Sequence, residues 1–422
     1  MIKRQPEDFH VEELLSSQAA ASIAGSEGAF TVYRLEKRGL GTDEALEQIA
    51  RRLEIPLERI HFAGLKDKHA VTVQYVSINF GRGGSRTGLG SPPDHLRGSA
   101  PGLIETPAWK LKPVGTSNRA IRAEDISGNR FRVAVRHLSR RQCETITHMR
   151  RFLSLPGARG GRMLRFVNYY GEQRFGSARH GRGFAARRFI EGDFEEGLRL
   201  IIAVPDRKDS RERKMVKREI AAGWGGWASL RKTLPPCPEQ EVVERLARTG
   251  GNFRAGFSAL PHFVQQIVIE AYQSRLWNEI ARRLIERECM HPCIRVPSPF
   301  GDLVFPRAAS APPETVSVVI PLLSPRTALR EPWKDVAEEV LSEEGIRTKG
   351  LRVPGMEMPY FGEVPRPLFA DALDFSIGPF EPDESAGGAG RFKRRARFTL
   401  PRGAYGTVLL AALSGAPQNI LR

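Results

Sequence analysis

The stretch "HFAGLKDKHAVTVQYVSINF", His61 to Phe80, decides how this chain is read. From Ala70 onward it has the β-branched and aromatic content of a strand. Its first half is a short loop after Gly64 that places one carboxylate, Asp67, between Lys66 and Lys68. A solvated turn fits these residues. So does a catalytic carboxylate held ionised by a positive field. The loop alone favours the turn, and the choice depends on the rest of the chain.

Upstream, "AFTVYRLEKRG" alternates apolar and polar residues and reads as a strand. "TDEALEQIARRL", Thr42 to Leu53, reads as a helix with Thr42 as its cap. It has acids in the first turn and arginines in the last, as the helix dipole prefers. Ala45, Leu46, Ile49 and Leu53 form its buried face. Before that strand, "PEDFHVEE" leads into an apolar patch and a small-residue loop, "SSQAAASIAGSEG".

Downstream, Gly81 to Gly102 is rich in Gly, Ser and Pro without periodicity, which predicts a mobile loop or insertion. "AWKLKPVGTS" and "GNRFRVAVRHL" read as strands, and Arg140–Leu153 as a helix. From about Phe184 the pattern turns helical, with "GDFEEGLRLII", a charged run at Asp206–Arg218 and an amphipathic helix at Pro261–Glu288. "HPCIRVPSPFGDLVFP" breaks it. "ALDFSIGPFEP" and "RARFTLPRGAYGTVLLAAL" bring strand character back near the end. β-rich ends around a helix-rich middle predict an α/β domain interrupted by an inserted helical domain.

With 422 residues, two or three domains have room for cores. Hydrophobic residues make up 41% and charged ones 27%, the balance of a folded globular protein. There is no run of about 18 apolar residues, so no membrane span is expected. "MIKRQPEDFH" lacks the apolar core of a signal peptide, so the expected location is cytoplasmic. Net charge is +17, and arginine outnumbers lysine. A basic surface gains free energy by displacing counterions from phosphates, and the guanidinium fork suits phosphate and stacks on bases. A nucleic-acid partner is expected.

No phosphate-binding loop, HExxH, Gly-x-Ser-x-Gly or Cys-x-x-Cys motif is present. Cys289, His291 and Cys293 cluster in "ECMHPC", but no second ligand pair follows at zinc-site spacing, so isolated thiols are expected. What remains is chemistry that needs a single acidic side chain, as nucleophile or general base. Two further segments combine Asn, an aromatic and Gly with basic residues: "GNRF", Gly128–Phe131, and "NYYGEQRFG", Asn168–Gly176. Such side chains suit a pocket that stacks a base and hydrogen-bonds its edges. A core position for Phe131 and a tight interdomain turn for the second segment fit as well.

Together these segments resemble the TruD family of transfer-RNA pseudouridine synthases. The resemblance runs through "KRQPEDFHVEE", "EKRGLGTDEALEQIARRL", "FAGLKDKHAVTVQ", "GNRF", "VNYYGEQRFG", "AYQSRLWN" and "LPRGAYGTVLL". It implies isomerisation of uridine to pseudouridine in transfer RNA, at position 13 in the best-known case, with no metal, nucleotide or redox cofactor. It implies a mixed, largely antiparallel sheet: a catalytic domain at 1–167 and 351–422, with an inserted helix-rich TRUD domain at 168–350. Asp67 matches the family's catalytic Asp, and Lys3 a basic residue near it. Phe131 matches an aromatic that stacks on the target uracil, and Asn129 a polar partner in that pocket. Asn168, Gln173, Arg174 and Phe175 match the second signature, expected where the inserted domain joins the catalytic one. Departures from the family pattern are Val167, Arg275 and Gly406. Ribosomal or messenger RNA as substrate, and a non-catalytic RNA-binding protein of this fold, are the alternatives. Arg179, Arg182, Arg187, Arg188, the run at Asp206–Arg218 and Arg391–Arg397 are candidate phosphate contacts, and a monomer is expected.

Overall fold

The structure is a computed structural model that describes residues 4–24, 28–80, 101–155, 163–176, 178, 182–206, 209–289, 292–386 and 390–415. It resolves into two units. The first comprises residues 1–166 and 370–422, and the second is Val167–Phe369. The return to the first unit thus falls at Ala370, later in the chain than the expected residue 351. Most of Gly81–Gly102 lies outside the described residues, as do Lys3, Arg179 and His291.

The first unit is built on one sheet. Its strands include β1 (Phe9–Leu15), β2 (Phe30–Arg38), β3 (Ile60–Phe62), β4 (Val71–Asn79), β5 (Ile104–Glu105), β6 (Trp109–Ser117), β7 (Ile126–Leu138) and β8 (Leu164–Val167). The strand order is β5-β6-β2-β4-β1-β7, followed by Phe392–Pro401, Phe369–Ile377 and β8. β1 and β4 run parallel, while β2/β4, β2/β6 and β1/β7 are antiparallel. The sheet is therefore mixed, as expected. The chain leaves this unit along β8 and returns along the neighbouring strand Phe369–Ile377. Arg165 clamps that pair by donating to both Asp371 oxygens, at 2.7 and 2.8 Å. An insertion whose two ends are neighbours leaves the host sheet intact.

Both sides of one sheet face are covered by helices. α2 (Thr42–Leu53) buries Ala45, Leu46, Ile49 and Leu53 against Tyr33, Leu35, Val76 and Ile78. At the other side, α3 (Arg140–Leu153) receives Arg394, whose guanidinium donates to the Cys143 carbonyl at 3.0 Å and to Thr147 Oγ1 at 2.7 Å. The C-terminal helix Gly406–Ser414 packs beside α3. β1 lies between the two covers.

Several expectations give way. Ser17–Ala24 is a helix, α1, rather than a loop: its alanines are strong helix formers, and Ser16 Oγ accepts the Ala19 N–H at 3.1 Å. Strand character stops at Pro401, and the apolar run after it is the helix Gly406–Ser414, buried on every side. A short apolar run has no polar face to betray its period, so strand and helix read alike. "HPCIRVPSPFGDLVFP" contains a hairpin of Cys293–Val296 and Leu303–Pro306. Thr42 is not the cap of α2. Gly41 holds that position, its N–H bound by Glu44 Oε2 at 2.9 Å, and the Thr42 hydroxyl turns inward.

The second unit is largely helical. Its longest helix, His262–Glu288, touches the helices Ala185–Ile190 and Lys334–Glu343 and the strands Leu303–Pro306 and Val319–Pro321. No described helix is long and apolar enough to cross a membrane.

Candidate active site

The alternation of β2 points Tyr33, Leu35 and Lys37 to the same side, and all three are buried. Lys37 is a lysine where the pattern calls for a hydrophobe. The sheet register carries its row onward: Lys37 pairs with Thr72 on β4, Thr72 with Val11 on β1, Val11 with Phe131 on β7, and Phe131 with Phe398. In the next row, Leu35 pairs with Gln74, Glu13 with Asn129, and Asn129 with Leu400. One face of the sheet therefore carries Lys37, Thr72, Gln74, Glu13, Asn129 and Phe131, a polar band running into an aromatic one.

The Asp67 loop folds over the polar end. The Lys66 N–H donates to Thr42 Oγ1 at 2.9 Å, and that hydroxyl donates to Gln74 Oε1 at 3.0 Å. Gln74 Nε2 reaches back to the Gly64 carbonyl at 3.5 Å. The inward turn of Thr42 thus ties α2, β4 and the loop together. The Lys66 ammonium pairs with Glu13, whose other oxygen accepts the Tyr75 N–H at 2.9 Å. Lys68 pairs with Glu44 at 2.7 Å. Asp67, half-buried, accepts the His69 N–H on Oδ1 at 3.0 Å, a side chain closing its own turn.

Both flanking lysines are thus engaged by glutamates. The described cation that holds the Asp67 main chain is Lys37, 1% exposed, which donates to the carbonyls of Leu40 at 2.6 Å and Asp67 at 3.1 Å. Burial pushes its pKa down to about 8, against the opposing pull of the Asp67 charge. Lys3 lies outside the described residues.

Asn129 and Phe131 lie on β7, the strand next to β1. Gly128 precedes them because a Cβ there would lie 2.3 Å from the Leu400 carbonyl oxygen on the neighbouring strand. Phe131 is 6% exposed, stacked on Phe398 at 5.1 Å and edge-on to Phe9 at 6.0 Å. Its ring also faces Gly406, where a Cβ would sit 3.1 Å away, so this departure from the family pattern matches the ring beside it. Thr72 Oγ1 and Asn129 Oδ1 are buried and have no hydrogen-bond partner among the described residues. A polar atom buried without a partner costs roughly 1–3 kcal/mol, so two on one face mark a place where a ligand would compensate.

The second signature belongs to the other unit, where it is tied inward. Asn168 is buried: Oδ1 accepts from Arg366 at 2.8 Å, and Nδ2 donates to the Pro367 carbonyl at 3.2 Å. Arg366 lies over the Tyr170 ring at 4.0 Å. Tyr170 and Asn278 exchange two bonds, at 2.8 and 3.0 Å. Arg174 binds Glu270 at 2.6 Å and Ser274 at 3.1 Å. Phe175 packs on Phe300 at 4.8 Å, and Gln173 is exposed. The Arg275 departure is met by Glu344 at 2.7 Å.

Several candidate phosphate contacts also have internal partners. Arg187 and Arg188 pair with Glu191, Arg213 with Glu239, and the buried Lys217 with Asp209. Arg394 and Lys393 are buried. Arg182, Arg391 and Arg397 are exposed. Sequence reasoning missed Lys37, Thr72 and Gln74 as site residues. Lys37 had a legible signal, a charge on the buried side of an alternating strand.

Comparison with known proteins identifies the family. The profile of the family "tRNA pseudouridine synthase D (TruD)" matches residues 1–413. A Methanocaldococcus jannaschii protein named "Probable tRNA pseudouridine synthase D 2" is 28% identical over 97% of this chain and 90% of its own. The tRNA pseudouridine synthase D of Aquifex aeolicus is 28% identical over 98% and 97%. In fold, the chain is similar to the crystal structure of a Methanosarcina mazei protein assigned to TruD. The TM-score is 0.65 and the identity 23%, over 100% of this chain and 94% of that one. A family match over residues 1–413, which spans both units, makes this chain a member of the TruD family of pseudouridine synthases.

Proposed function

We propose that the protein converts a uridine of transfer RNA to pseudouridine, at position 13, with Asp67 as the catalytic group. The reaction breaks the N1–C1′ bond, turns the base and forms a C5–C1′ bond. A proton leaves C5 and N1 gains one, so the atoms balance without a co-substrate. The target nucleotide leaves its stack, at a cost of a few kcal/mol. Asp67 acts at the ribose, as nucleophile at C1′ or as the base that removes a ribose proton. Asn129 presents its amide to the base edge, and Phe131 is the aromatic wall. Lys3 adds charge beside Asp67. Exposed arginines hold the RNA backbone, and the enzyme works as a cytoplasmic monomer.

The observation that carries this reading is the juxtaposition on one sheet face. The loop that carries Asp67 is braced on a buried polar band in which two polar atoms have no partner among the described residues. The test is tritium release from [5-³H]uridine transfer RNA, with pseudouridine mapping of total RNA from a deletion strain. Asp67→Asn and Asp67→Ala should abolish release while RNA binding persists. Release at a normal rate from Asp67→Asn would refute the assignment. A lost pseudouridine outside transfer RNA would move the substrate to that RNA.

A further inference from the structure

Lys37 occupies a position that packing alone would give to a hydrophobe. Its neighbours along the strand on that side, Tyr33 and Leu35, are both wholly buried, and both belong to the core under α2. Taking an ammonium out of water is unfavourable unless it is paired, and here no carboxylate bonds it directly among the described contacts. Its two acceptors are main-chain carbonyls, one at Leu40, just past β2, and one at Asp67 itself. A buried charge spent on two main-chain carbonyls, one of them in the Asp67 loop, is the kind of local conflict that marks a functional site.

We infer that Lys37 is the positioning residue of the Asp67 loop: its ammonium fixes the main chain at Asp67 and supplies the buried positive charge that keeps the carboxylate ionised. The inference rests on the reading of Asp67 as the catalytic group. The two lysines that flank Asp67 are engaged elsewhere, Lys66 by Glu13 and Lys68 by Glu44. The charged groups that face Lys37 are Asp67 and Lys66 from the loop and Glu44 from the start of α2. Its row neighbours on β4 and β6, Thr72 and Trp109, are neutral. Replacing the lysine would release the loop and remove a buried cation from beside it. A displacement of about 1 Å at a reacting group costs on the order of 10²-fold in rate.

Lys37 also has a titration of its own. Burial holds it near pH 8, so its charge is present below that value and disappears above it. Activity should fall as pH rises through about 8, and the fall should belong to Lys37.

The experiment is single-turnover pseudouridine formation on transfer RNA, followed from pH 5 to 10, for wild type, Lys37→Met, Lys37→Arg and Asp67→Asn. In Lys37→Met the rate should drop about 10²-fold at pH 7, with the half-saturating RNA concentration unchanged. Its alkaline limb should vanish, and its acid limb should move to higher pH. Lys37→Arg keeps the charge: it should restore the acid limb and stay flat above pH 8. A Lys37→Met profile with both limbs in place, merely scaled down, would make Lys37 a packing residue and overturn the inference. Should Lys37→Met not fold, Lys37→Gln decides: a wild-type rate with an unmoved acid limb there overturns the inference equally. An active Asp67→Asn enzyme would refute the catalytic reading itself, whereas an inactive one beside a normal Lys37→Met enzyme would refute only the role of Lys37.

Discussion

Two segments of this chain look alike as strings and behave differently as structure. "GNRF" and "NYYGEQRFG" each combine Asn, an aromatic, Gly and Arg. In the first, Asn129 Oδ1 is buried and has no described partner, as does Thr72 Oγ1 two strands away. In the second, Asn168, Tyr169, Tyr170 and Arg174 all have partners inside their own unit, the Tyr169 hydroxyl donating to the Val304 carbonyl at 2.9 Å. The Asn of the first segment has an atom open to a ligand, whereas the Asn of the second is spent on its own unit. The contrast lies in where hydrogen bonds end rather than in which residues are present.

The largest test of that contrast is Asp67→Asn. It should remove activity by about 10³-fold or more and leave the melting temperature near that of wild type, read by tritium release and circular dichroism. Asn129→Ala comes next. An atom without a partner stabilises nothing by being present, so stability should change by less than about 1 kcal/mol in urea unfolding, while the rate falls about ten- to a hundredfold. Asn168→Ala should do the reverse. It strips an acceptor from buried Arg366 and should cost about 1–3 kcal/mol in the same assay, with the rate per folded molecule preserved. A slow but stable Asn168→Ala enzyme would break the contrast and put the second segment in the site as well.

Acid should act on the second unit through Glu279. Burial raises the pKa of its carboxyl, but contacts with the Arg282 and Arg283 guanidinium groups outweigh this and hold it down to about 2. Its folded value lies below the unfolded one, so its stabilising contribution is complete above about 4.5 and is lost as pH falls toward 2. Glu279→Gln should be less stable than wild type at neutral pH, and its melting temperature should fall less between pH 5 and 2. The smallest effect belongs to Lys68→Met. It breaks a half-exposed pair with Glu44 and should cost less than about 1 kcal/mol. A large rate loss there would return the field at Asp67 to its flanking lysines.

Much of the fold was legible. β2, β4 and α2 announced themselves by period and by charge placement, and Arg140–Leu153 is helical over the expected residues. The misses share a cause. Ser17–Ala24 and Gly406–Ser414 are short and lack a contrasting polar face, so no period separates helix from loop or strand. Thr42 reads as a cap because capping is local, whereas its partners are the loop N–H of Lys66 and the side chain of Gln74.

By itself the sequence determined which groups are available: a lone Asp67 in a long specific motif, a basic chain, and two Asn-aromatic-Gly-Arg segments. Those are covalent facts, and family membership follows from them. Only the tertiary structure decided which groups are committed. Lys66 and Lys68 sit beside Asp67 in the chain yet bind Glu13 and Glu44. Lys37, thirty residues away, holds the Asp67 carbonyl. The physical reason is that strand register selects neighbours across a sheet, and register is set by the whole hydrophobic pattern rather than by any residue next to the site.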